Sequence, residues 1–345
     1  MLKNKTGHVL NVSDIAPGHR RSQQISTDLD MFKVHQSPTK AMGLSADLAS
    51  APGPAQSNLW LPHPSLASCV RAILSRNTLG LALSDGQRYN HFPAAPTCSI
   101  TWYLSGHCDV LDPGCAATGD SPRSPLPARI VFGGPHNRPL VSWNPGPIHA
   151  VMLLLLPDAF FALTGIDPGA YVNRIAPADQ VLDAGWMAFC QAVDNAPDDD
   201  CRVARIESFL NPAWQQTRPD DPLPVRFLSD WSQSLALRAA TSGWGRSMRQ
   251  AERRIKQWTG QPLRELRGVG RSERAFFEVL TALEDGALNW TDVANTAGYS
   301  DQSHLCRQTR RITGFSPDEL RHRIATDESF WIYRLWGFSE ATPGD

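Results

Sequence analysis

Trp290–Arg321 reads W-T-D-V-A-N-T-A-G-Y-S-D-Q-S-H-L-C-R-Q-T-R-R-I-T-G-F-S-P-D-E-L-R, and this stretch decides the fold of the carboxyl-terminal part of the chain. Val293, Ala294 and Ala297 fall on one face of a short helix, and Gly298 supplies the backbone freedom that a tight inter-helix turn needs. Ser300 or Asp301 then caps a second helix, because either side chain can accept a hydrogen bond from an otherwise unpaired amide. On that helix Leu305 and Ile312 point one way, while Gln302, Ser303, Cys306, Arg307 and Arg310 point the other. One face packs and the other is left to read. Gln and Arg bond bidentately to adenine and guanine edges in a major groove, and Ser and His make single bonds there. Gly314 ends the helix, and Ser316-Pro317 opens another.

The segments Gly298–Arg307 and Gly314–Arg321 together resemble the second helix-turn-helix of AraC/XylS-type bacterial transcription regulators. Thr309 departs from the aromatic residue usual in that family. An earlier run, Gly245–Pro262, resembles the first helix-turn-helix of the same family through Ser247–Arg254 and Gly260–Leu263. In it Ser247 caps, Ala251, Ile255 and Trp258 face inward, and Arg249, Glu252, Arg253 and Lys256 face out. The resemblance implies base contacts from Arg249, Glu252 and Arg253 in the first unit, and from Gln302, Ser303, His304, Cys306 and Arg307 in the second. Phosphate contacts are expected from Arg246, Arg254, Lys256, Arg310 and Arg311, which set register while the groove-facing residues choose sequence. Between the units, Leu263–Glu284 keeps a helical pattern despite Gly268 and Gly270 and joins the two reading heads on one chain.

Charge is distributed unevenly. From Trp231 to Arg323 there are 15 Lys plus Arg against 10 Asp plus Glu, a surplus of five in a chain of net charge −1, so the remainder carries −6. A basic carboxyl-terminal part attracts phosphate backbones whatever their sequence. The seven cysteines contain no C-x-x-C pair and no amino-terminal apolar run has signal-peptide length, so a cytoplasmic protein is expected. The longest apolar stretch, Ala150–Leu156, is far short of a membrane span.

Upstream, residues 1–56 carry no sustained periodicity and are expected to form a disordered extension, with short apolar patterns at Val9–Ile15 and Met31–Val34. Over residues 57–218 the order of elements, a β-barrel followed by helices, extends the resemblance to AraC/XylS-type regulators, which implies a sensor and dimerisation domain there. Leu66, Cys69, Val70, Ile73 and Leu74 repeat at helical spacing, although the end of the run is equally compatible with a strand. Cys98–Leu104 alternates strictly, with Cys98, Ile100, Trp102 and Leu104 on one face and Ser99, Thr101 and Tyr103 on the other. Short β segments follow at Cys108–Leu111, Arg129–Phe132, Leu140–Trp143 and His149–Leu156, separated by Gly/Pro turns. Helical patterns begin at Pro157 and recur at Val181–Val193 and Cys201–Trp214. The expected fold is therefore α+β and multidomain: a small β-barrel or cupin-like sensor with flanking helices, a linker over 219–225, an all-α domain over 226–325 with two helix-turn-helix units joined by a linker helix, and a tail over 326–345 whose Phe330–Phe338 is aromatic enough to pack on a surface.

Three aromatics, Trp102, Phe132 and Trp143, are candidates to line an effector pocket, with core packing as the competing explanation. His91, His107, His136 and His149 lack a closely spaced His-x-His, and Cys98, Cys108 and Cys115 match no zinc spacing, so neither a metal nor a cofactor is expected. No Ser/His/Asp order or phosphate loop appears, and no catalytic residue is assigned. The expectation is a transcription regulator that binds double-stranded DNA, and the family resemblance implies a small-molecule effector. Family analogy adds a homodimer and RNA polymerase as a partner. The competing readings are a metal-dependent cupin-like enzyme or binding module with a regulatory helical tail, and a protein-interaction module.

Overall fold

The computed structural model describes residues 33–34, 56–219, 227–242, 247–284 and 286–340. The extension expected over 1–56 lies outside them save for 33–34 and 56, as do most of the expected linker and Arg246. Lys33–Val34 (β1) pairs with Leu59–Trp60 of β2 (Gln56–Trp60), so one of the two apolar patterns noted upstream does dock.

The ambiguous run after Leu66 becomes strand β3 (Val70–Asn77), which pairs on both sides: with β2, and with the strand His149–Leu155 described below. A run apolar on both faces has no periodicity that separates strand from helix, and the long-range pairing decides. β4 (Tyr89–Phe92), β5 (Cys98–Ser105), β6 (Asp109–Leu111), β7 (Arg123–Pro125), β8 (Ile130–Gly133), β9 (Leu140–Trp143), β10 (His149–Leu155) and β11 (Ile175–Pro177) complete two antiparallel sheets. The larger runs β1-β2-β3-β10-β5-β8-β11, and the smaller β4-β9-β6-β7. The expected barrel thus takes the form of two sheets that wall one cavity.

Alternation on β5 and β10 divides the large sheet. Cys98, Ile100, Trp102, Val151, Leu153 and Leu155 are buried in a core shared with α1 (Pro157–Thr164), α2 (Ala184–Asp194) and α3 (Asp199–Thr217). Ser99, Thr101, Tyr103, Met152 and Leu154 point to the opposite side, toward the cavity. The apolar face of β5 is therefore outermost in the barrel and covered by helices.

The second domain comprises α4 (Leu228–Thr241), α5 (Met248–Thr259), α6 (Leu263–Glu284), α7 (Trp290–Thr296), α8 (Gln302–Thr313) and α9 (Pro317–Thr326). The two glycines of α6 are close-approach positions. A Cβ on Gly270 would lie 2.8 Å from the backbone nitrogen of Ser229, so α4 and α6 cross nearly backbone to backbone. The aromatic tail forms α10 (Trp331–Glu340), which lies on β2 and β4 with Trp331 Nε1 donating to Asn90 Oδ1 at 2.9 Å. No described helix is long and apolar enough to cross a membrane.

Candidate nucleic-acid interface

Each helix-turn-helix unit is assembled by local signals. In the second, Gly298 takes φ +78° at the turn, and Asp301 rather than Ser300 caps α8, accepting from the His304 amide at 2.7 Å. Ala275, Val293, Ala294, Ala297, Tyr299 and Leu305 form a small core of their own beneath it. In the first, Ser247 accepts from the Gln250 amide at 3.3 Å and caps α5. Its core residues Trp231, Leu235, Ala239, Ile255 and Leu266 belong instead to the core that also fills the β-sheet domain.

The outward faces carry the expected residues. On α5, Arg249, Glu252, Arg253 and Lys256 are exposed, with Glu252 Oε2 also accepting from the Leu263 amide at 3.4 Å to cap α6. Arg254 turns away, half-buried, its Nη1 donating to the Ala239 carbonyl at 2.9 Å. On α8, Gln302, Ser303, Arg307 and Arg310 are exposed, while Cys306 and His304 are half-buried. His304 Nδ1 lies 3.2 Å from Ser300 Oγ, and its ring meets Tyr299 edge-on. Arg311 ion-pairs with Glu265 and donates from Nε to Gln308 Oε1 at 2.9 Å. Thr309, where the family has an aromatic, donates to the Leu305 carbonyl at 3.0 Å within its own helix.

A cavity of about 990 Å³ lies between the sheets and the helical domain. None of the three aromatics proposed from the sequence lines it. Trp102 is buried with Nε1 donating to the Cys190 carbonyl at 3.0 Å, and Phe132 stacks on Phe160 at 4.8 Å. Trp143 lies under the Arg123 guanidinium at 3.9 Å. For Trp102 and Phe132 the reason is the facing of the large sheet, whose apolar side packs against helices: the wall is made by Ser99, Thr101 and Tyr103, the polar half of the β5 alternation. From the other domain come Phe276, Leu280, Leu305, Thr309 and Ile312, the last three from the back of α8.

Several titratable groups on this wall are uncharged near neutrality. Burial, with Arg138 adding repulsion, lowers His136 to about 4. Burial raises Tyr103 and Cys108 above their ordinary values. Where charges do reach the wall, Arg71 and Glu273 pair at 2.8 Å across the domains. Among the described residues no group of three His, Cys, Asp or Glu is placed to hold a metal ion. His149 pairs with Asp199 at 3.0 Å, and His91 stacks on Phe330 at 4.5 Å.

Two capped helices, each with an exposed polar face rich in Arg, have the form of a paired helix-turn-helix DNA-binding unit. Residues 242–323 match the family model described as a helix-turn-helix domain, and they contain the two segments whose motifs resemble those of AraC/XylS-type regulators. Among curated proteins none matches the chain by sequence. Among solved structures the chain is similar to ToxT from Vibrio cholerae O395, with 13% identity, 69% of this chain and 95% of that one covered, and a TM-score of 0.33. It is also similar to the AraC-like transcriptional activator CuxR, with 14% identity, 83% and 86% covered, and a TM-score of 0.26. At such TM-scores these likenesses add nothing to what the matched residues establish.

Proposed function

We propose that the chain is a sequence-specific regulator whose DNA binding responds to a small, largely apolar effector held in the 990 Å³ cavity. The observation that carries this reading is that Leu305, Thr309 and Ile312, on the back of the second reading helix, are part of the cavity wall. An occupant touches the sheets and the reading helix at once, so it has different contacts in any arrangement that moves one against the other, which is what an effector requires. The volume is at the upper end of ordinary ligand sites, about 300–1,000 Å³, and the mostly apolar lining, where Arg71 and Glu273 pair with each other, favours apolar molecules. Base reading falls to Arg249, Glu252, Arg253, Gln302, Ser303, His304, Cys306 and Arg307; the phosphate contacts are assigned to Arg246, Arg254, Lys256, Arg310 and Arg311. Arg254 and Arg311 must leave the Ala239 carbonyl and Glu265 to make theirs. Homodimerisation and contact with RNA polymerase follow from the family resemblance.

The test is selection of bound sequences from random duplex DNA by the full chain, with and without a library of apolar metabolites. One sequence class should emerge, and one ligand class should alter its enrichment. On the selected duplex, Arg253→Ala and Arg307→Ala should each cost roughly 1–3 kcal/mol and relax the preference at one or two positions. Unaltered binding in both variants would mean that the helical pair serves another partner.

A further inference from the structure

Between α6 and α8 runs a cleft that the reading faces do not account for. Arg264, Gly268 and Arg271 follow one another along one side of α6, and His304, Arg307, Gln308 and Arg311 along the facing side of α8. Apart from Gly268, these residues line a second cavity of about 480 Å³ together with Glu265. Gly268 sets how closely the two rows approach: a Cβ there would lie 3.2 Å from Gln308 Nε2 and 3.3 Å from Arg311 Nη2.

Four guanidinium groups therefore share a cleft with one lining carboxylate. Glu265 binds Arg311 and lies 3.6 Å from Arg264. Arg271 sits over the Tyr299 ring at 5.8 Å, and its Nε is buried with no hydrogen-bond partner among the described residues. The Arg264 side chain is 86% exposed. A surplus of cations at this spacing repels itself unless an anion joins it, and guanidinium groups match phosphate oxygens in planar, two-bond geometry. His304 and Arg307 form the rim where the cleft meets the reading face of α8. A duplex seated on that face brings its own anion to the opening.

We propose that this cleft holds a phosphodiester group of the DNA backbone beside the second reading helix, with Arg264 and Arg271 of the connecting helix as its ligands. The proposal rests on the DNA-binding reading above and adds two contacts that neither helix-turn-helix unit contains.

The test measures binding of the full chain to the selected duplex and to a scrambled one across a range of salt concentrations. Neutralising each arginine, Arg264→Gln and Arg271→Gln, should reduce the slope of log affinity against log salt by about 0.9. Both duplexes should weaken by the same factor, leaving the sequence preference intact, and Arg264→Lys should keep the wild-type slope. Arg271 packs on Tyr299, so Arg264→Gln alone decides the matter if Arg271→Gln does not fold. An unchanged slope in Arg264→Gln overturns the proposal. The same result, together with inorganic pyrophosphate raising the melting temperature of the wild type but not of Arg264→Gln, overturns it in favour of a free-anion site. A wild type that binds neither duplex overturns the DNA-binding reading and this proposal together, an outcome distinct from a wild type that binds and a variant that matches it.

Discussion

At the scale of single residues, the sheet face against α10 depends on an imidazole kept neutral. His91 is buried, stacked on Phe330, and lowered to about 4, chiefly by burial and then by Arg323, with Asp327 opposing. In the unfolded chain it titrates near 6.5. The unfolded state therefore takes up a proton first as pH falls. The stabilisation is complete above about pH 6.5 and is lost progressively as pH drops toward 4. Between pH 8 and pH 5 the loss should be roughly 2 kcal/mol for this group. His136 is shifted in the same direction and adds its own loss. His91→Phe should flatten part of the urea-midpoint profile over this range; a profile as steep as the wild type's would place the acid sensitivity elsewhere.

At the scale of elements, the end of α5 meets the turn Pro168–Tyr171 of the β-sheet domain backbone to backbone. Gly260 closes α5 at φ +73°, and a Cβ there would lie 2.7 Å from the backbone nitrogen of Gly169 and 2.8 Å from its Cα. Backbone rather than a flexible side chain stands in the way. Gly260→Ala should cost roughly 2–4 kcal/mol, from left-handed strain together with overpacking, measured by urea unfolding. A loss under about 0.5 kcal/mol, the size expected of a surface change, would show that the two elements separate freely. The end of α8 is held in a comparable way: the Ile312 carbonyl accepts from the Ala94 amide at 2.7 Å. The helices α5 and α8 are thus both fastened to the β-sheet domain by their carboxyl-terminal ends.

At the scale of the whole molecule, the two domains share their largest core, although the second helix-turn-helix keeps a small one of its own. One core runs from Trp60 and Phe132 through Trp231 and Leu266 to Ile312. Asp158 sits within that junction, nearly fully buried, and accepts from Trp231 Nε1 and Arg238 Nη2, each at 2.8 Å. Calorimetry of the full chain should show a single unfolding transition, since neither domain can open without exposing the other's core. Asp158→Ala leaves the indole N–H and part of a guanidinium without a partner. It should cost roughly 3 kcal/mol and divide the transition in two. A single transition that merely shifts would mean that apolar packing alone couples the domains.

Much of the helical domain is legible in the sequence because its signals are local. Gly298, Asp301, Gly314 and Ser316-Pro317 each act within a few residues, and the 3.6-residue repeat separates Leu305 and Ile312 from the reading face. The strict alternation of β5 is local too, and so is the division of its side chains into two faces. Which face looks inward is not local. Strand pairing and the helices α1, α2 and α3 placed Ser99, Thr101 and Tyr103 on the cavity and Trp102 in the outer core, which decides between the two roles, pocket lining and core packing, that the sequence left open for Trp102. Strand β3, the seat of the aromatic tail and the meeting of Arg264 and Arg271 with Arg307 and Arg311 were likewise settled by residues far apart in the chain. Caps, turns and periodicity are properties of neighbours along the backbone, and the sequence alone determines them. Partners for a face, a carboxylate or a row of guanidinium groups exist only once distant segments pack, and tertiary structure decides those.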